Sequence, residues 1–364
     1  MYKQPYKALS LFTGAGGMDV GFTKAGIEVA LANEINKHAC ETFRHNNPDV
    51  PLLEGDVSLL QDELASAQGI DFIFGGPPCQ GFSVAGKMDP KDERSKLVFT
   101  FASIVNSIKP IAFVMENVKA LYTLQKFSDV RKELFRSFDL SGYNCDAVLL
   151  NSAEFGVPQS RERTFFIGIS KDLPRFESNH LRSYVLEEVS LHDAISHLGP
   201  AGSQGNPRTC NAQVTIAAKP VMRKSPYAGM LFNGQGRPLN PSRPASTLPA
   251  SMGGNRTPII DELQLHQNAP PWVEEYHTHL VNGGEPYGMH DAPERLRRLT
   301  LAEAAIIQSF PNEYEFQGPN SAIYSQIGNA VPCRLAEAVA RSVIDSINEK
   351  PVSTVANEPL KLEI

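Results

Sequence analysis

Leu9-Ser-Leu-Phe-Thr-Gly-Ala-Gly-Gly17 reads as a strand that runs into a glycine turn and opens a helix. Gly14, Gly16 and Gly17 let backbone amides approach a ligand closely at a helix N-terminus. The nicotinamide-dinucleotide fingerprint wants a further glycine at its sixth position; Asp19 stands there, which argues against that cofactor. Glu34, twenty residues after Gly14 and at the end of the next β-like run, suits a bidentate bond to ribose hydroxyls. Asp56, near the end of a third run, suits an adenine amino group. Singly, each would also fit a glycine turn flanked by surface carboxylates. Together they indicate a nucleoside-bearing cofactor.

Outward from that turn, short apolar runs alternate with helical patterns over the first 170 residues. Candidate strands are Ala8–Phe12, Glu28–Ala32, Asp71–Phe74, Ile111–Glu116, Asp146–Leu150 and Thr164–Ile169. Helical stretches are Met18–Ala25, Lys37–His45, Lys96–Ile108 and Val130–Phe138. Such alternation predicts an α/β domain, a parallel sheet with crossover helices on both faces. From about residue 186 the pattern turns irregular, then recovers in a helix over Thr300–Gln308, with Thr300 and Glu303 at capping-box spacing, and a last helix over Cys333–Ile347. The expected organisation is a catalytic domain over 1–185, a second domain over 186–318, a segment over 319–350 returning to the first domain, and a tail over 351–364.

The chain of 364 residues is long enough for two domains at about 150 residues each. Its 41% hydrophobic and 20% charged residues are an ordinary globular balance, with no apolar stretch long enough to span a bilayer and no secretory signal. Five scattered cysteines without a Cys-x-x-Cys pair argue against disulfides and structural zinc. A soluble, reduced, cytoplasmic protein is expected, without a metal and without a membrane partner.

Net charge is −6, yet no Asp or Glu occurs from Ala194 to Ile260, where seven basic residues, eight glycines and nine prolines fall. That composition fits either a disordered linker or a loop-built surface facing a polyanion.

Gly75-Gly-Pro-Pro-Cys-Gln-Gly-Phe-Ser83 comes directly after the strand Asp71–Phe74. Two prolines stiffen the approach to Cys79, and Gly81 loosens the chain beyond it. Open parallel sheets bind ligands at the carboxyl edge of their strands, so a thiolate at this position is placed as a nucleophile.

With these motifs in order, the chain resembles the DNA (cytosine-5)-methyltransferases of prokaryotic type. Phe12-x-Gly14-x-Gly16-Gly17 resembles the family's S-adenosylmethionine loop, and Pro77-Pro78-Cys79-Gln80 its catalytic loop. Glu116-Asn117-Val118 and Gln159-x-Arg161-x-Arg163 match two further motifs. Arg297-x-Leu299-Thr300-x-x-Glu303 matches the element supporting the recognition domain, and Gln326-Ile-Gly-Asn-Ala-Val-Pro332 the last motif.

The resemblance implies a doubly wound, mixed, mostly parallel sheet of the S-adenosylmethionine-dependent methyltransferase fold, with a smaller irregular target-recognition domain. It places Phe12, Gly14, Gly16, Gly17, Glu34, Ile35, Asp56, Pro78, Leu97, Asn329 and Val331 at S-adenosylmethionine, which leaves as S-adenosylhomocysteine. Ile35 stands where the family often has an aromatic residue, so part of the adenine face must be aliphatic. Cys79, Glu116, Arg163, Arg161 and Gln80 are the implied catalytic set, and Ser83, Gln159, Arg237, Arg243 and Arg256 the implied contacts to double-stranded DNA. The first motif begins at residue 9, which favours a prokaryotic or phage enzyme, monomeric, solitary or paired with a restriction endonuclease.

These roles make chemical sense. Cytosine C5 is a poor nucleophile, and adding the Cys79 thiolate to C6 makes C5 enamine-like. A protonated carboxyl at the N3 edge, expected from Glu116, answers the charge that builds there, while Arg163 polarises O2 and Arg161 orders the site. Nothing in the sequence identifies the base that removes the C5 proton. The cytosine must be flipped out of the duplex, and Gln80–Ser95 is the expected closing loop. The alternative reading is a cytosine-5 methyltransferase acting on RNA; a nicotinamide dehydrogenase would leave the later motifs without purpose.

Overall fold

The structure, a computed structural model, describes residues 5–78 and 96–349. Cys79, Gln80, Ser83, the expected closing loop and the expected tail over 351–364 lie outside the described residues. The chain divides into two units. One comprises 1–155, 162–187 and 331–364, the other 156–161 and 188–330.

In chain order, β1 is Tyr6–Leu11, α1 Gly17–Lys24, β2 Ile27–Glu34, α2 Lys37–Asn46, β3 Leu52–Glu54, α3 Gln61–Ala65 and β4 Phe72–Gly75. Next come α4 Leu97–Ile108, β5 Ala112–Val118, α5 Lys119–Thr123, α6 Ser128–Leu140, β6 Tyr143–Asn151, β7 Gln159–Ser160 and β8 Glu162–Ser170. The rest are α7 Leu191–Ile195, β9 Ala245–Ser246, β10 Ile259–Asp261, α8 Glu262–Gln267, α9 Trp272–Val281, β11 Leu296–Arg298, α10 Leu301–Ile307, α11 Asn320–Asn329 and α12 Cys333–Ile347.

The first unit holds a seven-stranded sheet in the order β3-β2-β1-β4-β5-β8-β6. Neighbours from β3 to β5 pair in parallel, and β8 pairs antiparallel with both β5 and β6. The expected mostly parallel doubly wound sheet is thus present. The order reverses between β1, whose crossover leads to β2, and β4, which lies on the other side. In open α/β sheets such a switch point leaves a ligand crevice at the carboxyl ends. The glycine turn leaves β1 at that place and the Gly-Gly-Pro-Pro segment leaves β4 there.

Side chains alternate along each strand between two apolar cores. Ala8, Phe72, Phe74, Val114, Phe165 and Ile167 pack with Met18 and Phe22 of α1 and with Leu335, Val339 and Val343 of α12. Leu9, Leu11, Ile73, Phe113, Met115 and Phe166 pack with Phe101 and Val105 of α4 and with Leu134 and Phe138 of α6. Helices therefore cover both faces, as the strand–helix alternation requires.

The last helix closes the first layer. α12 lies so close on α1 that a Cβ at Gly21 would stand 2.5 Å from the Cys333 carbonyl oxygen and 2.6 Å from the Ala336 Cβ. Gly21→Val should therefore destabilise the protein by roughly 3 kcal/mol or more, because backbone rather than a flexible side chain blocks the new methyls. Urea unfolding measures this; an unchanged midpoint at unchanged slope would show that the two helices separate without loss.

The second unit is built from short pieces. β7 pairs with β9 in parallel and β10 with β11 antiparallel. One core gathers Leu191, Ile195, Leu248, Leu299, Ile307, Tyr324 and Ile327. Another gathers Ile216, Phe232, Ile259, Val273 and Tyr276. Because Ile216, Leu231, Phe232, Leu239 and Leu248 are buried, the basic Gly/Pro-rich segment is a folded surface and not a linker.

α10 begins with the expected capping box, Thr300 and Glu303 each bonding the other's backbone N–H. Fully buried Glu303 also takes Arg297 on both oxygens, at 2.6 and 2.8 Å, and the Asn206 amide at 2.9 Å. A buried charge is tolerated when paired and hydrogen-bonded in this way.

Two expected boundaries move. The return to the first unit falls at Val331, not at 319, because Tyr324 and Ile327 of α11 pack in the core of the second unit. Residues 156–161, expected within the first domain, belong to the second, where β7 finds its strand partner. The second unit resumes at Glu188.

Candidate active site

Phe12, Gly14 and Gly16 carry φ of 54°, 57° and 83°, three left-handed residues in five. Glycine adopts this conformation freely, whereas at Phe12 it costs about 1 kcal/mol or more. The turn they form is closed by Thr13 N–H on the Asn33 carbonyl and by Gly16 N–H on the Thr13 carbonyl, both at 3.0 Å. At the end of β2, Glu34 is fastened to the same turn: Oε2 accepts the Gly14 N–H at 2.7 Å, and Oε1 accepts those of Ile35 and Asn36 at 2.9 and 2.8 Å. A carboxylate oxygen accepts two hydrogen bonds, so Oε2 retains capacity beside Gly14. Around a Cβ built on Gly14 there is nothing within 4 Å.

Ile35 is 64% exposed, an apolar side chain left in solvent where the sheet ends. Asp56 is exposed, its Oδ1 accepting the Ser58 N–H at 2.8 Å. Open space over Gly14, a fixed carboxylate with a free acceptor site and an uncovered aliphatic face fit a nucleoside cofactor. Pro78 and Leu97 are half-buried beside β4 and at the start of α4. Val331 is buried in the first core, where its partners are Leu335 and its neighbours rather than solvent.

The second cluster lies on β5 and β8. Register pairs Glu116 with Phe165 and Val118 with Arg163, which sets Glu116 and Arg163 diagonally on one face. Arg163 Nε stands 2.8 Å from Glu116 Oε1, and both side chains are largely buried. Arg163 Nη1 also donates to the Glu162 carbonyl at 2.8 Å, which leaves Nη2 without a partner among the described residues.

A Cβ on Gly76 would stand 2.9 Å from Glu116 Oε2. The carboxyl is thus set between the guanidinium and the segment that leads, three residues later, to Cys79. Buried Asn117 fixes that segment, its Nδ2 donating to the Pro77 carbonyl at 3.2 Å. The sequence shows Asn117 inside a motif, but its task is visible only from the pairing of β4 with β5.

In the second unit, Arg161 is buried and donates to the carbonyls of Leu248 at 3.1 Å and Gly328 at 3.0 Å. It orders this unit by tying backbone together. Gln159 is one of the residues expected to reach DNA. Gln159 is fully buried, donates to Gln308 Oε1 at 2.9 Å and accepts the Leu248 N–H at 2.9 Å, so its amide is spent inside the fold. Asn329 is exposed at the end of α11, and its amide reaches Ser325 Oγ at 3.4 Å.

Arg237, Arg243 and Arg256 are exposed and have no side-chain partner among the described residues, as are Lys219, Arg223 and Lys224. Where acidic residues do occur in this unit, arginines are paired, as Arg295 is with Asp261 at 2.6 Å. The acid-free stretch thus leaves its cations free for an external anion.

Comparison with known proteins points the same way. A family model described as C-5 cytosine-specific DNA methylase matches residues 6–345. The chain is 33% identical over 345 residues to the Type II methyltransferase M1.HphI of Haemophilus parahaemolyticus, spanning 92% of this chain and 86% of that one. It is 34% identical over 348 residues to M.NgoPII of Neisseria gonorrhoeae, spanning 93% and 95%. Among solved structures, the Entamoeba histolytica methyltransferase EhMeth superposes with a TM-score of 0.65 at 17% identity, covering 94% of this chain and 99% of that one. A methyltransferase of an E. coli prophage gives 0.66 at 23% identity, covering 94% and 99%; at such identities the likeness is one of fold.

Proposed function

From the premise that this chain belongs to the C-5 cytosine-specific DNA methylase family, we propose the course by which its own residues methylate cytosine at C5 in duplex DNA. When bound at the turn over Phe12–Gly17, S-adenosylmethionine supplies an electrophilic methyl group on a sulfonium. The Cys79 thiolate forms a bond to C6 of a flipped cytosine, and the C5–C6 π pair becomes available at C5. Glu116 delivers a proton to N3, and Arg163 Nη2 donates to the base O2, so that charge on the ring is neutralised as C5 accepts the methyl. A water takes the C5 proton, the C5–H pair re-forms the C5–C6 double bond as the C6–S bond breaks and Cys79 leaves as thiolate, and the N3 proton returns to Glu116.

The observation that carries this reading is the Glu116 carboxyl pinned by Arg163 at 2.8 Å against Gly76, beside the approach to Cys79. The test is incubation of a plasmid library with the protein and S-adenosylmethionine, followed by bisulfite sequencing. Protection of cytosine in one short recurrent context is the expected result. No protection by folded, cofactor-bound protein would move the substrate to RNA.

The unpaired cations of the second unit form the DNA face in this proposal. Replacing Arg237, Arg243 and Arg256 together by alanine should reduce the slope of log K against log salt by roughly 2 to 3, since each neutralised phosphate contributes about 0.9. Filter binding from low to moderate salt measures it, and an unchanged slope would assign the phosphate contacts to other residues. The two relatives above are Type II methyltransferases, which supports a cognate restriction endonuclease as genetic partner, the chain itself working as a monomer.

A further inference from the structure

One buried carboxyl beside the glycine turn takes no part in that course. Asp19, at the third position of α1, is 2% exposed. Its Oδ2 accepts the Thr13 hydroxyl, and the nearby Ser10 hydroxyl also favours the ionised form. Oδ1 has no hydrogen-bond partner among the described residues. Thr13 is the residue on which the turn folds, through its N–H to Asn33 and its carbonyl to Gly16. Burial pushes the Asp19 carboxyl up to about 6, against the opposing help of those hydroxyls, so at pH 7.5 an ionised carboxylate lies beside Phe12–Gly17.

A charge in a dry site acts over a longer range than an exposed one and is little screened by salt. The cofactor and its spent product differ by one charge, since the sulfonium is cationic and the thioether neutral. Resting on the cofactor reading of this turn, we propose that Asp19 is a positioning residue that acts twice. Its carboxylate fixes Thr13 and with it the turn, and its charge makes the turn hold the sulfonium more tightly than the thioether product.

Other ionisable groups surround it. Glu34 faces it from β2, and from α12 the Cys333 thiol, which burial pushes far up. Farther along the packed helices, Lys24 ends α1, Arg334 is exposed, Arg341 pairs with Glu337 at 2.8 Å, and Asp345 accepts the Tyr184 hydroxyl. The sulfonium acidifies its own α-amino group, so the titration of each free ligand is measured over the same range and subtracted before the ratio of affinities is read.

Calorimetric titration of the purified full chain with S-adenosylmethionine and with S-adenosylhomocysteine, from pH 5 to 7.5, tests the proposal. In the wild type the preference for the sulfonium should rise several-fold through a midpoint near pH 6. Asp19→Asn should show a flat ratio, lose about tenfold in affinity for the sulfonium at pH 7.5, and keep its affinity for the thioether.

Stability separates this from a structural role. An acid whose pKa rises on folding stabilises the fold while protonated, and that contribution is lost as pH rises through about 6, so Asp19→Asn should not lower Tm at pH 7.5. Thr13→Val, which removes a hydroxyl donor and keeps the charge, should retain the pH dependence with its midpoint moved upward. A pH-independent ratio in the wild type, or equal loss of both ligands with a lowered Tm in Asp19→Asn, would overturn the proposal while leaving the cofactor site standing. Binding of neither ligand by the wild type would overturn the cofactor reading itself.

Discussion

Cys79→Ala is expected to lower methyl transfer by at least roughly four orders of magnitude while leaving cofactor and DNA affinity within a few-fold of wild type. Without the C6 bond, the ring keeps its conjugation and C5 offers no usable electron pair, so no other group in the site takes over. In the proposed course binding rests on residues the substitution does not touch: Glu34 and the glycine turn for the cofactor, and the exposed arginines of the second unit for the phosphates. Single-turnover transfer of a labelled methyl group, with filter binding on the same preparation, separates the two. Appreciable residual transfer would remove the covalent step from the mechanism.

Glu116→Gln should lower kcat by about 10²- to 10⁴-fold, the usual weight of a positioned general acid, with cofactor affinity unchanged. Glutamine keeps the shape that fits against Gly76 but cannot pass a proton to N3. Arg163→Ala should do less, because it removes the proposed donor to the base and releases the partner of Glu116 without removing the carboxyl. The two are coupled through a 2.8 Å contact, so the double variant should fall short of the sum of the singles. Additive losses would show that Arg163 and Glu116 act apart, and an active Glu116→Gln would transfer the proton to another donor.

Much of the catalytic unit is legible in the sequence because its signals are local. α12 is marked at both ends, Pro332 fixing its start and the apolar spacing its extent. The capping box of α10 needs only Thr300 and Glu303. Each strand of the first unit that the sequence marks lies within a few residues of its expected place, because buried strands are signalled by their own apolar runs.

What escapes the sequence is set by distant partners. Gln159, Arg161 and Arg163 alternate along one short stretch, yet the first is spent on Gln308, the second on Leu248 and Gly328, and the third on Glu116. Nothing in their spacing distinguishes a DNA contact from a buried fastener. The later return point has the same cause, since α11 is drawn into the second unit by the core around Ile307. Asp19 is visible as a departure from a glycine pattern, but its burial and its bond from the Thr13 hydroxyl exist only in the folded chain.

The seating of α12 on α1 also sets an order of events at the ribosome. The helix that lies on α1 emerges some three hundred residues after it, roughly half a minute at about 10 residues per second. Through that interval the face of α1 around Gly21, where α12 will lie, waits uncovered. The second unit, by contrast, has all its residues once Ala330 has been added. The unit begun first is therefore finished last, and a stop codon just after Ala330 would cripple the earlier-made half of the molecule while sparing the later one.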